Sequence, residues 1–184
     1  MRIVAGNYRS RIIKAVPGEN TRPTLDKVKE AVFSRIGPYF NGGDMLDLFA
    51  GSGNMGIEAQ SRGMKHIIFC DAATLAIKTI QANINTLKMD DYELWKSDYM
   101  NALKRCVIEK KQFDLIYLDP PYDLGAIKII LEFIDEHQLL KEDGNLICET
   151  LKNEILTNQY QNLKQIKEAT YGISKITYYR GQKI

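Results

Sequence analysis

From Asp44 onwards this chain repeats one pattern, in which a short apolar run is followed by a longer segment with helical periodicity. The pattern predicts strands at 45–49, 66–70, 92–96, 113–118 and 145–149, and helices at 54–62, 74–87, 100–110 and 126–137. Strands separated by helices of this length form βαβ units, whose strands are parallel. Two last strands, 164–169 and 174–179, are joined by a link too short for a crossover and must be antiparallel to each other. The sequence therefore predicts an α/β fold with a mostly parallel sheet.

The first part of the chain is organised differently. Runs 2–5 and 11–16 have β-like composition around a polar turn and predict a hairpin. After a loop, Thr24 is a predicted N-cap for an amphipathic helix over 25–36. At 184 residues the chain has the size of one domain. We expect an N-terminal β-hairpin appendage over 1–20 and one domain over 21–184.

Charge and composition narrow the class of protein. Residues 1–35 hold eight basic and three acidic side chains, so this segment is +5 in a chain of net charge +2. A basic arm on a mildly acidic body either meets a polyanion or forms a solvated face, and charge alone leaves both open. No apolar run approaches the roughly 18–20 residues that cross a bilayer, and the N-terminus lacks a signal-peptide core. We expect a cytoplasmic protein without a metal, since three dispersed cysteines and two isolated histidines have no zinc spacing.

A glycine-rich loop follows the first strand of the predicted sheet and opens a helix. It consists of Asp47, Leu48, Phe49, Ala50, Gly51, Ser52 and Gly53, and with Gly56 it spells G-x-G-x-x-G. Asp71 ends the next strand, 20 residues after Gly51, where a carboxylate can bind ribose hydroxyls. Spacing alone fits both NAD and S-adenosylmethionine. Asp47 favours the latter, because an anion at the loop would repel a pyrophosphate but suits a sulfonium and an ammonium group.

The tetrapeptide Asp119-Pro120-Pro121-Tyr122 directly follows the strand 113–118, at the sheet edge where α/β folds bind ligands. A carboxylate and a carbonyl that accept hydrogen bonds from the two N–H groups of an exocyclic amine would localise the lone pair of its nitrogen. The nitrogen could then attack the methyl group of a donor. Asp119 and the Pro120 carbonyl are candidates for these acceptors, and Tyr122 offers a face for base stacking. The alternative is a simple turn with Pro-Pro as punctuation. The glycine loop, placed two βα units earlier, favours the catalytic interpretation.

Asp98 ends the strand 92–96 and has two compatible interpretations. Its carboxylate can accept a hydrogen bond from the adenine amino group of a cofactor, or it can cap the following helix.

With these motifs the chain resembles the RsmD family of bacterial 16S rRNA (guanine-N2) methyltransferases. The resemblance rests on R-I-V-A-G at 2–6, T-R-P-T at 21–24, D-L-F-A-G-S-G at 47–53, S-R-G at 61–63, D-P-P-Y at 119–122 and Tyr171-Gly172. It implies a Rossmann-like class I fold with seven strands, S-adenosylmethionine as cofactor, and a guanine of small-subunit rRNA as substrate, presented in an assembling or assembled subunit. It also implies that the hairpin and the Arg22 loop contact RNA, through Arg2, Arg9, Arg11 and Arg22.

Two positions depart from the pattern of that family. Ala73 stands where a second acidic residue is common, which leaves Asp71 as the single ribose carboxylate, and Ser10 stands where glycine is common in the hairpin. Other hypotheses stay open at this point: an amino-methyltransferase acting on DNA or protein, and a non-catalytic nucleotide-binding or RNA-binding module. Nothing in the chain demands a dimer.

Overall fold

The computed structural model describes residues 1–18, 24–121 and 125–183. The predicted RNA contact Arg22 and the predicted stacking residue Tyr122 lie outside these residues. The predicted division of the chain after residue 20 also falls outside them and stays a prediction. The elements are α1 (Thr24–Ile36), β1 (Asp44–Asp47), α2 (Asn54–Ser61), β2 (His66–Asp71), α3 (Thr74–Leu87), β3 (Tyr92–Lys96), α4 (Tyr99–Ile108), β4 (Phe113–Leu118), α5 (Ile127–Glu136), β5 (Leu140–Leu151), β6 (Leu163–Tyr171) and β7 (Ser174–Gly181).

These strands form one sheet in the order β3-β2-β1-β4-β5-β7-β6. Strands β1 to β5 pair in parallel, whereas β7 is antiparallel to both of its neighbours, β5 and β6. The strand order reverses at β1. From β1 the chain adds β2 and β3 on one side, and it then returns to place β4 on the other side of β1. This reversal leaves a crevice outside the carboxyl ends of β1 and β4, where open α/β sheets bind ligands. The fold is that predicted from the alternation of strands and helices.

The sheet is covered on both faces, as a parallel sheet requires. Neighbouring side chains along a strand point to opposite faces, so Met45 and Leu46 of β1 belong to different cores. Helices α4 and α5 cover the face of Leu46 with side chains such as Leu103 and Ile130. Helices α1, α2 and α3 supply the other core, whose members are fully or nearly fully buried.

The N-terminal segment, residues 1–18, folds back on itself more loosely than a two-stranded hairpin. One antiparallel bridge joins Arg2 to Ile12, and the predicted strands 2–5 and 11–16 extend no further as a ladder. Ile3 and Ile13 are nevertheless buried in the core beneath α1, α2 and α3. The segment is therefore packed into the domain on its apolar side and exposes its basic residues on the other.

A buried ionic network fastens this segment to α1 and α2. The Glu58 carboxylate, which is fully buried, lies 3.0 Å from Lys29 Nζ and 2.8 Å from Arg62 Nε. The backbone N–H groups of Val4 and Ala5 donate to the same carboxylate at 2.8 and 3.0 Å. Two cations and two backbone donors thus satisfy one buried anion, as a charge in the interior demands. Burial lowers the pKa of Lys29, and the adjacent Glu58 opposes that shift.

One difference from the predicted elements concerns the length of a strand. Strand β5 spans Leu140–Leu151 rather than 145–149, because its first half is polar and pairs only at the sheet margin.

Across the described ranges, no helix is both long and apolar enough to span a bilayer. No group of three or more His, Cys, Asp or Glu side chains with the geometry of a metal site occurs among those residues either.

Candidate active site

The glycine loop connects β1 to α2 at the point where the strand order reverses. Gly51 and Gly53 have φ angles of 54° and 80°, in the left-handed region that glycine adopts without steric cost. The Ala50 N–H donates to the Cys70 carbonyl at 2.9 Å, which fixes the loop against the end of β2. Asn83 of α3 donates to the Ser52 carbonyl at 3.0 Å and to the Lys14 carbonyl at 3.0 Å. The loop is thereby held between α3 and the N-terminal segment.

Gly56 allows the first turn of α2 to approach β2 closely. A Cβ atom at this position would lie 2.3 Å from Phe69 Cε1 and 2.9 Å from Ile67 Cγ2. Glycine is therefore required here for helix–strand packing, which is the function of the third glycine in the predicted G-x-G-x-x-G pattern.

Asp47 is the last residue of β1, and its side chain is almost fully buried below the loop. The Gly56 N–H donates to Asp47 Oδ2 at 3.0 Å. Burial raises the pKa of Asp47 to about 7, and the nearby charge of Asp71 contributes to the same shift. A positively charged group bound at the loop would favour the ionised form of this carboxyl.

Asp71 is the last residue of β2, and Asp98 lies two residues after the end of β3, at the same edge of the sheet. Asp71 accepts hydrogen bonds from the N–H groups of Gly51 and Ala73, each at 2.8 Å. Asp98 is the N-cap of α4 and accepts from the N–H groups of Asn101 and Met100 at 3.0 and 3.1 Å, which lowers its pKa. The capping interpretation of Asp98 is confirmed, and its predicted contact with a cofactor stays a prediction.

An aromatic pair joins the loop to the end of β3. The rings of Phe49 and Tyr99 lie 5.8 Å apart between centroids and are tilted by 34°. Phe49 therefore connects the glycine loop with the carboxyl edge near Asp71 and Asp98, where an adenosine group would be bound by the predicted residues.

The glycine loop and the end of β4 face each other across an open cleft of about 710 Å³, its mouth included. Asp119 is exposed at the end of β4, and Pro120 after it is buried. The cleft is lined by Met1, Val28, Lys29, Asp47, Phe49, Ala50, Gly51, Ser52, Asn54, Met55, Tyr117, Asp119 and Glu149. The structure thus brings the loop and the first residue of the tetrapeptide together. Gly53, Asp71 and Asp98 lie beside this lining rather than in it.

Pro120 and Pro121 border a second, smaller cavity of about 330 Å³ on the far side of the tetrapeptide. Its other lining residues come from the region before α5 and from the end of β5: Gly125, Ala126, Ile127, Glu149, Thr150, Leu151 and Glu154. Glu149 is shared by the linings of this cavity and of the larger cleft.

The sequence analysis did not identify Glu149, which lines both cavities, or Tyr117, which lines the larger one. The Tyr117 hydroxyl donates to Glu149 Oε2 at 3.0 Å. Burial raises the pKa of Tyr117 well above its usual value, and the charges of Glu149 and Asp119 add to the shift. One signal was available in the sequence, since Glu149 is an acidic residue near the carboxyl end of a predicted strand, as Asp47, Asp71 and Asp98 are.

The predicted RNA-binding arginines of the N-terminal segment, Arg2, Arg9 and Arg11, are all exposed. Arg2 lies 3.4 Å from Asp26, and Arg11 donates to the Thr86 carbonyl at 3.3 Å. The same segment reaches the cleft through Met1, which is one of its lining residues. Arg2 follows Met1 directly, whereas Arg11 contacts the carboxyl end of α3, away from the cleft.

Comparisons with known proteins agree with this geometry. The family model with the description "Conserved hypothetical protein 95" matches residues 1–180. The chain is 42% identical to "Putative rRNA methyltransferase YlbH" of Bacillus subtilis over 181 residues, covering 98% of each protein. It is 32% identical to "Ribosomal RNA small subunit methyltransferase D" of Haemophilus influenzae, covering 98% of this chain and 93% of that protein.

Solved structures share the fold. The structure titled "Putative methyltransferase yhhF from Escherichia coli" superposes with a TM-score of 0.84 at 24% identity, covering 99% of this chain and 98% of that one. A 16S rRNA N2 G1207 methyltransferase of Thermus thermophilus, RsmC, in complex with AdoMet and guanosine, gives a TM-score of 0.65 at 18% identity. That match covers 91% of this chain and 45% of the other. The architecture is therefore the class I methyltransferase fold.

Proposed function

This chain belongs to the family described as conserved hypothetical protein 95, and on that premise we propose that it methylates the N2 amino group of a guanine in small-subunit rRNA. The methyl donor is S-adenosylmethionine. Relatives named as rRNA small subunit methyltransferases support the activity and the substrate class. The single observation that carries the proposal is the cleft in which the glycine loop faces Asp119.

The residues around the loop fit S-adenosylmethionine better than a dinucleotide. Asp47 is buried at the loop with a pKa raised to about 7, so a bound sulfonium or ammonium group would relieve the cost of its ionisation. The pyrophosphate of NAD would increase that cost. Phe49, Ala50, Gly51, Ser52 and Gly53 would hold the cofactor through the loop, and Asp71 and Asp98 through the ribose and the adenine.

When bound, the donor would supply a methyl group on a positively charged sulfur, and this sulfur can keep the electron pair of the S–C bond and leave as a neutral thioether. Asp119 and the Pro120 carbonyl would accept hydrogen bonds from the two N–H groups of the target amine. The lone pair of the nitrogen would then be localised and directed toward that methyl group. The nitrogen gives up one proton, which can pass to the Asp119 carboxylate and then to solvent, since Asp119 is exposed. Holding two reactants in line supplies much of the rate of such a displacement. Pro121 would stiffen the loop, and Tyr122 would stack on the base.

The RNA would lie across the N-terminal segment, with Arg2, Arg9, Arg11 and Arg22 on its phosphates. A basic segment of this size reads little sequence by itself. We therefore propose that the substrate is the small ribosomal subunit or an assembly intermediate rather than free RNA. We also propose that the enzyme acts in the cytoplasm, as a monomer and without a metal.

Transfer of labelled methyl from S-adenosylmethionine to small subunits from a strain lacking this gene tests the proposal, with nucleoside analysis of the product. We expect label in N2-methylguanosine. Asp119→Ala should lower kcat by roughly 10²–10⁴, because it removes an acceptor that acts on the reacting amine. The affinity of the variant for the cofactor should stay within about twofold of the wild-type value, as for a substitution outside the cofactor contacts.

Asp143→Asn is the matched control, because Asp143 is exposed and belongs to the first, marginal half of β5. Label in DNA or protein instead of rRNA would point to the other amino-methyltransferases. Cofactor binding without any transfer would point to a non-catalytic module. Undiminished turnover by Asp119→Ala would refute the assigned mechanism.

A further inference from the structure

Glu149 occupies a position on β5 that corresponds to that of Asp119 on β4. The two strands are parallel neighbours in which Leu118 pairs with Cys148. Asp119 and Glu149 are the next residue on each strand, so they stand side by side at the carboxyl edge of the sheet. Both line the cleft, and Glu149 also borders the cavity beyond Pro120 and Pro121. A base with its amine at Asp119 would therefore have Glu149 beside it.

The surroundings of Glu149 leave it able to accept a further hydrogen bond. The Tyr117 hydroxyl donates to Oε2 at 3.0 Å, and Tyr117 is only 4% exposed. An ionised carboxylate has about four acceptor positions on its two oxygens, so the bond from Tyr117 leaves acceptor capacity unused. The buried tyrosine holds the side chain in place while Glu149, which is half-buried, still meets the cleft.

The group beside the amine distinguishes the bases that carry an exocyclic amine. In adenine and cytosine the ring nitrogen next to the reactive amine is an acceptor, N1 and N3 respectively. In guanine the corresponding atom is a donor, N1–H. A tetrapeptide that acts on the amine alone cannot tell these bases apart, whereas a carboxylate at the neighbouring position accepts from guanine and repels the lone pair of the other two.

We propose that Glu149 determines base specificity by accepting the guanine N1–H, with Tyr117 as its positioning residue. This inference rests on the proposed function and deepens it. The role of Glu149 explains how the site selects guanine, although its tetrapeptide contacts only the amine of the base. It also disfavours a glutamine side chain as substrate, since the carbon next to that amide nitrogen carries no second N–H donor.

The first test uses the wild-type enzyme and free nucleosides as competitors of methyl transfer to small subunits. Inosine keeps the N1–H but lacks the amine, and 2-aminopurine riboside keeps the amine but has no hydrogen on N1. We expect guanosine and inosine to inhibit at least about tenfold better than 2-aminopurine riboside, because an unmet buried acceptor is costly. Equal inhibition by all three would overturn the inference.

The second test uses Glu149→Gln, which keeps the size of the side chain but can turn an NH₂ donor toward the base. We expect kcat/KM on small subunits to fall on the order of a hundredfold, because the amide can leave the guanine N1–H without an acceptor. The preference for inosine over 2-aminopurine riboside should disappear. Tyr117→Phe should cause a smaller loss and keep that preference, because Glu149 is still present. Glu136→Gln, which removes an exposed charge at the end of α5, is the matched control.

The outcomes separate this inference from the function on which it rests. Failure of the wild type to produce N2-methylguanosine refutes the proposed function. Production of N2-methylguanosine together with an unchanged nucleoside preference in Glu149→Gln refutes the role of Glu149 alone. Equal losses in Glu149→Gln and Tyr117→Phe, with the preference kept in both, would show a purely structural pair and also refute it. Should Glu149→Gln fail to bind cofactor, the wild-type competition decides.

Discussion

Asp47 carries a carboxyl group whose burial raises its pKa to about 7, so the protonated and ionised forms are both populated in the free protein near neutral pH. Because the folded-state pKa lies above the ordinary value, folding disfavours ionisation of this group. Its contribution to stability is full below about pH 4 and is lost as the pH rises through 7. A bound cofactor with positive charge reverses the preference.

We predict that S-adenosylmethionine releases a proton from Asp47 when it binds at pH 7. Calorimetric titration in two buffers of different ionisation enthalpy measures this release, and affinity should weaken as the pH falls below 7. Asp47→Asn should abolish the buffer dependence and weaken binding. In the free protein it should raise Tm at pH 8 and lose that advantage at acidic pH. Binding enthalpies that are the same in both buffers would contradict the prediction, and Asp143→Asn is the control.

Ser10 shows how one departure from the family pattern is accommodated. Its φ angle is 67°, in the left-handed region, which explains why glycine is common at this position in the family that the sequence resembles. The Ser10 N–H donates to the Ile3 carbonyl at 2.9 Å, so the turn closes in spite of the side chain. Serine at this position therefore costs some local backbone strain and does not alter the candidate active site.

At the scale of elements, the network around Glu58 joins three parts of the chain that are distant in sequence. Lys29 and Arg62 are its cations, and Val4 and Ala5 donate from the N-terminal segment. Lys29 also donates to the Arg2 carbonyl at 2.6 Å and lines the cleft. The network therefore couples the position of the basic segment to the lining of the cleft.

We predict that Glu58→Gln destabilises the protein by about 3–5 kcal/mol, because it leaves buried cations without their anion. Urea unfolding followed by circular dichroism measures the change. Hydrogen exchange of the Val4 and Ala5 amides should accelerate more than that of the β4 amides. Glu30→Gln, on the exposed side of α1, is the control and should change stability by less than about 0.5 kcal/mol. A loss equal to the control would show that the network is dispensable.

The sequence predicts the elements of the sheet well because each is bounded by a change of periodicity or a glycine. The glycine loop and Asp119 are predicted at the correct edge, since every parallel strand delivers its carboxyl end there. The Glu58 network is not predictable, because Lys29 and Glu58 have the local pattern of ordinary solvated charges and only tertiary contact pairs them. The loose N-terminal turn is missed for a similar reason, since its stability comes from Glu58 and the buried Ile3 rather than from its own ladder.

At the scale of the whole molecule, exposed basic side chains lie both on the N-terminal segment and on β6. The basic N-terminal segment packs against α2 and α3, whereas β6 lies at the opposite end of the sheet from β3. Arg9 and Arg11 are exposed on that segment. A polyanion bound along the N-terminal segment would therefore contact these side chains and not the lysines of β6.

We predict that the double variant Arg9→Gln and Arg11→Gln weakens binding to small subunits and reduces the salt dependence of the affinity. The slope of log K against log salt should fall by about 1–2, since each lost phosphate contact on unpaired RNA is worth about 0.7. Filter binding over a range of potassium concentrations measures it. Lys164→Gln with Lys167→Gln removes the same charge from β6 and should leave the slope unchanged. Identical slopes for both double variants would remove the N-terminal segment from the RNA interface.

Strand β6 is the last strand of the sheet, and on its outer side an isolated antiparallel bridge joins Lys164 to Gln159 near its beginning. Its exposed side chains include Lys164, Lys167 and Glu168, and its pairing with β7 shifts register between Gln165 and Lys167. Charges and a bulge on an outer strand prevent a second chain from adding a strand there. The protein is therefore protected against edge-to-edge aggregation on this side.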